Sequence, residues 1–77
     1  MKEFGKNLFG IRLKELREEA NINQEKLAEI LNTYRANINR YEKRTREPDY
    51  DTLVKIADFF DVSADYLLGR TENRKRL

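Results

Sequence analysis

From Phe9 to Leu67 the apolar residues recur at helical spacing, and no stretch alternates as a strand would. Phe9, Leu13, Leu16 and Ala20 stand at i, i+4, i+7 and i+11, one face of a helix that starts between Lys6 and Phe9 and runs to Ala20. Arg12, Lys14, Glu15, Glu18 and Glu19 fill its other positions, and Gly5 and Gly10 weaken its beginning. The stretch "NINQEKLAEIL" predicts a second helix with Asn23 as N-cap, an Ile22–Leu27 staple across the cap, and a buried stripe of Leu27, Ala28 and Leu31. A turn at Asn32 and Thr33 leads to a third helix over Arg35 to Glu42, with Ile38 and Tyr41 facing inward. After the loop "KRTREP", Asp49 caps a fourth helix whose inner face is Leu53, Ile56, Ala57 and Phe60. Asp51 in its first turn suits the helix dipole. Ser63 caps a short fifth helix, "ADYLL", and Gly69 stands where a left-handed C′ residue ends it. The basic tail, residues 70–77, has a single apolar residue and is expected to be loosely ordered. The expectation is an all-α domain of five helices over residues 1–69.

Composition narrows the chemistry. Seventy-seven residues make one domain with a thin core. There is no cysteine and no histidine, so thiolate and imidazole metal sites and the commonest general base are absent. No apolar run approaches the roughly 18 residues of a membrane span, and no export signal opens the chain, so a cytoplasmic protein is expected. The net charge of +2 says little, but its distribution says more. Residues 35–46 carry Arg35, Arg40, Lys43, Arg44 and Arg46 against Glu42 alone, a net +4. Residues 47–65 carry Glu47, Asp49, Asp51, Asp58, Asp61 and Asp65 against Lys55, a net −5. One end of the molecule attracts a polyanion and the other repels it. Two ordinary solvated faces would give the same charge pattern.

The second and third helices, joined by a turn of about three residues, carry the candidate chemistry. With Ile38 and Tyr41 turned to the core, Arg35, Ala36, Asn39, Arg40 and Lys43 are left on the outer side of the third helix, and Asn37 on its flank. Arginine and asparagine can make paired hydrogen bonds to guanine and adenine edges in the major groove. A helix-turn-helix presents the start of its second helix to those edges.

From about Leu8 to Gly69 the sequence resembles the Cro and phage-repressor type helix-turn-helix family, also called the XRE family. The resemblance is carried by "IRLKELREEANINQEKLAEIL", "INRYE" and "REPDYDTLVKIADFFDVSADYLLG". It implies a five-helix, lambda-repressor-like DNA-binding domain with helices two and three as the DNA-binding pair. Arg35, Ala36 and Arg40 match base-reading positions, and Asn37 and Asn39 match positions that touch bases or backbone. Asn23, Gln24, Tyr34, Lys43, Arg44 and Arg46 fall where phosphate contacts are expected, and Arg17 and Glu42 match a buried ion pair. Each has an ordinary alternative: Asn23 as a cap only, Gln24 as a first-turn residue, Arg35 and Arg40 as solvated charge, Ala36 as a helix former, Tyr34 as turn packing.

Two departures from the family pattern set expectations of their own. Asn32 stands where the family turn has glycine, and should take a left-handed backbone. Lys43 and Arg44 replace an asparagine-glycine pair, and the loop they open is expected to take a different shape. Tyr50, Phe59, Tyr66 and Leu67 either complete the core or form a dimer face on the last two helices. One such domain reads few base pairs, so a homodimer on a pseudo-palindrome, with half-site centres about 34 Å apart, is expected. The function expected is a sequence-specific transcriptional regulator of double-stranded DNA, a repressor, with no cofactor and no catalysis. The competing class is a protein-interaction module, antitoxin-like or an anti-repressor partner, using the acidic fourth and fifth helices.

Overall fold

The computed structural model describes residues 8–76. The proposed helix start at Lys6 and the glycine at position 5 lie outside them. Five helices follow in order: α1 Phe9–Glu19, α2 Gln24–Leu31, α3 Arg35–Glu42, α4 Tyr50–Phe60 and α5 Ala64–Leu67. The capping residues expected from sequence do the capping. Asn23 Oδ1 accepts from the Lys26 N–H at 2.7 Å, and Asp49 Oδ1 from the Thr52 N–H at 2.8 Å. Ser63 Oγ accepts from the Tyr66 N–H at 3.0 Å. The Thr52 bond also holds the Asp49 carboxyl below its ordinary pKa.

Each helix is ended by a left-handed residue: Asn21 (φ 59°), Asn32 (57°), Arg44 (65°), Asp61 (55°) and Gly69 (81°). This conformation lets the next N–H turn back to a carbonyl in the last helical turn. Thr33 N–H reaches Ala28 O at 2.9 Å, and Thr45 N–H reaches Arg40 O at 2.9 Å. Asn32 behaves as expected. Arg44 does not: it adopts the positive φ that its side chain disfavours, so the loop after α3 turns as a glycine would turn it. The closure of the α3 C-terminus, with Arg44 N–H on Tyr41 O at 3.1 Å, outweighs the local strain.

Leu13, Leu27, Ile38, Ile56 and Leu67 are the fully buried centre, one residue from each helix. Each such side chain contributes about 1.5–3 kcal/mol by removal from water, an upper estimate. Phe9 meets Tyr41 edge to face, with centroids 5.8 Å apart. Leu53 and Phe60, expected inside, are only partly buried against this core, as is Ile22. Ala20 was expected on the inner face of α1 but is exposed, because the helix ends at Glu19 and the chain turns away at Asn21. Arg12, placed by sequence among the solvated positions, is buried (6 % exposed).

Gly10 is buried where α1 crosses the end of α3. A Cβ there would collide with the carbonyl oxygen of Tyr41 and approach Arg44 Cγ to 2.8 Å. The residue that weakens the start of α1 is thus what allows α1 and α3 to meet closely.

Residues 70–76, read from sequence as a tail, run back across α1, α4 and α5. Arg12 lies under them. Its Nη1 donates to the carbonyl oxygens of Tyr66 and Thr71, its Nη2 is 3.2 Å from Glu72, and its guanidinium covers the Tyr66 ring at 4.2 Å. Ser63 N–H donates to Arg74 O at 2.9 Å, Arg74 grips Glu19 with two bonds of 2.9 and 2.8 Å, and Arg76 meets Asp58 at 2.6 Å. Among the described residues no helix is long and apolar enough to cross a membrane.

Candidate nucleic-acid interface

Helix α3 is seated on α2 and α1 by Ile38 (0 % exposed) and Tyr41 (4 %), which turns its opposite side outward. Arg35, Ala36 and Arg40 are exposed on that side, at the first, second and sixth positions of α3. Tyr34, the extended residue capping α3, is 79 % exposed and makes no side-chain capping bond. Lys43, Arg44 and Arg46 are exposed in the loop that follows, so exposed basic residues run from the start of α3 into the loop beyond it.

The seat of α3 is fixed by the expected ion pair. Arg17 Nε donates to Glu42 Oε2 at 2.6 Å and Nη2 to Oε1 at 3.1 Å, while Nη1 donates to Ile22 O at 2.9 Å. The side chains are 12 % and 4 % exposed. The hydrogen bond to Glu42 is the main reason that Arg17 is held above its ordinary pKa, against the opposing effect of desolvation. This one pair joins the end of α1, the approach to α2 and the end of α3.

Several predicted contact residues are engaged within the protein. Gln24 donates through Nε2 to Glu42 Oε1 at 3.0 Å, and its Oε1 accepts from Asn39 Nδ2 at 3.4 Å. Asn37 donates through Nδ2 to Thr33 Oγ1 at 2.8 Å and accepts at Oδ1 from Arg46 Nη1 at 3.3 Å. Asn23 commits its side-chain oxygen to the α2 cap. Arg35, Ala36 and Arg40 are the group presented outward in full.

Of the residues considered for a dimer face, Tyr50 (87 % exposed) and Phe59 (44 %) are at the surface. Tyr66 (6 %) and Leu67 (0 %) belong to the core, because α5 folds inward against α1 and Arg12 covers the Tyr66 ring. Sequence reasoning missed Arg12, Gly10 and Thr33. Arg12 had a signal: it lies three residues after Phe9 and four before Leu16, on the apolar stripe itself. Thr33 and Gly10 had none, since their roles depend on which helix crosses them.

The helix-turn-helix family model matches residues 13–67 of the chain. HTH-type transcriptional regulator ImmR of Bacillus subtilis is 46 % identical over 67 residues, which are 87 % of this chain and 53 % of that protein. This chain spans about half the length of the relatives it matches. Among solved structures, the P22 c2 repressor in complex with synthetic operator 9T superposes with a TM-score of 0.79 at 26 % identity, covering 86 % of this chain and all of that one. The N-terminal DNA-binding domain of SinR from Bacillus subtilis gives 0.72 at 27 % identity, covering 79 % of this chain and 90 % of that one.

Proposed function

The chain belongs to the XRE-type helix-turn-helix family of non-enzymatic DNA-binding regulators, and from that premise we propose that it is a sequence-specific transcriptional repressor that binds a pseudo-palindromic operator as a homodimer. The observation that carries this reading is the outer row of α3. Arg35, Ala36 and Arg40 are exposed together, on a helix whose other side is anchored by Ile38 and Tyr41. Arg35 and Arg40 take base edges, Ala36 packs on a thymine methyl group, and Lys43, Arg44 and Arg46 hold phosphates. Residues 1–69 form the DNA-binding unit and 70–77 its basic extension, and the protein works in the cytoplasm. Repression follows from occupying the operator and excluding polymerase.

Salt titration of DNA binding tests this. Several phosphate contacts give a steep negative slope of log K against log salt, by about 0.9 per contact. A slope near zero refutes it. Arg35→Ala relaxes the preference at one base position, whereas Arg46→Ala weakens binding to all sequences alike.

A second reading, a protein-docking module, draws on α4, where Tyr50 (87 % exposed) and Val54 (54 %) stand beside acidic residues. Tight capture of a basic protein partner that survives Arg35→Ala and Arg40→Ala together would favour it.

A further inference from the structure

Arg46 is held in place without being neutralised. Arg70, Arg74 and Arg76 are each paired with a carboxylate, but Arg46 closes no ion pair among the described residues. The Asp49 carboxyl, held low chiefly by its bond from Thr52, feels Arg46 only weakly. Arg46 is gripped instead by a neutral group: its Nη1 donates to Asn37 Oδ1 at 3.3 Å. The loop brings it there. Thr45 folds back on the Arg40 carbonyl through its N–H at 2.9 Å and its hydroxyl at 3.3 Å, which turns the chain toward α3. Arginine has donors only, so the branch of Asn37 that faces it is the carbonyl oxygen. The other branch, Nδ2, donates to Thr33 Oγ1 in the preceding turn at 2.8 Å. A paired contact to adenine takes both branches of an asparagine at once, and both are engaged here.

We infer that Asn37 is a positioning residue for a phosphate contact and not a base reader: it holds the Arg46 guanidinium beside the first half of α3 with its charge intact, ready for a DNA phosphate next to the reading helix. A carboxylate in its place would order Arg46 as well but cancel the charge that a phosphate requires. An apolar residue would leave the charge on a side chain free to turn, and ordering that side chain would then oppose binding. Thr33 completes the arrangement, because its hydroxyl oxygen takes the Nδ2 branch while Oδ1 stays toward Arg46. Held in this way, Arg46 keeps Nε, Nη2 and the second N–H of Nη1 for a phosphate diester. The inference rests on the DNA-binding reading and adds to it what aims one phosphate contact and which side chain leaves the base-reading set.

Selection of bound oligonucleotides from a random pool supplies the operator, and the wild-type protein and Asn37→Ala should enrich the same bases at every position. Replacing the phosphates of that operator one at a time by neutral methylphosphonate then locates the Arg46 contact. It is the phosphate whose replacement weakens the wild-type protein about tenfold but leaves Arg46→Ala unaffected. We expect Asn37→Ala to bind all sequences about fivefold more weakly, to lose most of its sensitivity at that one phosphate, and to cost less than about twofold when added to Arg46→Ala. Its slope of log K against log salt should be shallower by up to about 0.9. Asn37→Asp, which keeps an oxygen toward Arg46 but neutralises it, should lose the same sensitivity. A purely structural Asn37 would lower the melting temperature and leave that sensitivity whole, which overturns the inference. A relaxed base position in Asn37→Ala overturns it too, as do an unchanged affinity, losses that add to those of Arg46→Ala, or an operator with no phosphate of that kind. If the wild-type protein enriches no sequence at all, the DNA-binding reading falls first and this inference falls with it.

Discussion

Removing one partner of the Arg17–Glu42 pair should destabilise the domain more than any ordinary surface substitution. In Arg17→Ala the Glu42 carboxylate, 4 % exposed, keeps only the Gln24 amide as a partner. A buried charge left in that state costs about 3–5 kcal/mol. The Ile22 carbonyl also loses the bond from Arg17 Nη1, which removes a tie between the turn before α2 and the end of α1. The total stability of a domain of 77 residues is about 4–12 kcal/mol at ~0.05–0.15 kcal/mol per residue. The substitution thus takes a quarter or more of it. Urea denaturation followed by far-ultraviolet circular dichroism measures the loss as a lower midpoint at unchanged slope. The double variant Arg17→Met, Glu42→Leu removes both charges and fills the space with apolar atoms, and it should recover most of the stability. Its residual deficit is the Gln24 amide, which loses its acceptor, and the Ile22 carbonyl, which loses the Arg17 donor. If Arg17→Ala costs less than about 1 kcal/mol, the pair is solvent-screened and the burial argument fails. If the double variant is as unstable as the single one, the loss comes from packing and not from an orphaned charge.

Gly10→Ala should destabilise by about 1–3 kcal/mol, the usual cost of overpacking, although alanine favours a helix by about 1 kcal/mol; a thermal melt that rises would show that α1 can move away from the Tyr41 carbonyl. Arg44→Gly should act in two directions. Relief of the left-handed strain raises stability by about 0.5–1 kcal/mol, while loss of a basic side chain weakens DNA binding and lowers its salt slope by about 1. A stability that falls instead would mean that the Arg44 stem packs on Gly10 more firmly than its backbone is strained. Glu19 is held below its ordinary carboxyl pKa, chiefly by its hydrogen bond from Arg74. A depressed folded pKa gives stability that is present above the unfolded value of about 4.3 and is lost as pH falls through the lower folded value. Glu19→Gln should therefore flatten the acid limb of the melting temperature below about pH 4.3, and an unchanged limb would show that the 70–76 segment is not held by this pair in solution.

The helices and their caps were legible because each depends on residues close in sequence or on a strong type preference, whereas the Arg17–Glu42 pair joins residues 25 apart and was implied only by the family resemblance. Asn23, Asp49 and Ser63 accept the first-turn N–H groups that their side chains suit. Asn32 could be assigned a left-handed backbone because asparagine tolerates it best after glycine. Arg44 could not, because nothing local favours it there. Its conformation is imposed by the closure of α3 and by α1 passing over that closure at Gly10. Exposure was the other weak point. Tyr66 and Leu67 read equally well as surface or core, and the choice turned on a residue 54 positions away from Tyr66 in the chain, Arg12.

Arg12 also explains how so thin a core carries a helix of only four residues. Helix α5 is too short to hold itself by propensity. Its last carbonyls need donors. Arg12 supplies them from beneath, to Tyr66 and to Thr71 in the segment that follows, and lays its guanidinium on the Tyr66 ring. Arg74 approaches the same ring, 5.2 Å from its centroid, and is fastened to Glu19 on α1. One aromatic side chain thus joins α1, α5 and residues 70–76. The arginines there are paired with carboxylates: Arg70 with Asp65 and Arg76 with Asp58 and Asp61 of the acidic block, and Arg74 with Glu19 on α1. This pairing spends positive charge where the protein is most negative and leaves the basic block of α3 and its loop as an exposed positive surface, the one proposed to meet DNA. The two-ended charge pattern of the sequence is therefore sharpened by the fold, since the arginines of the C-terminal segment offset the acidic end instead of extending the basic one.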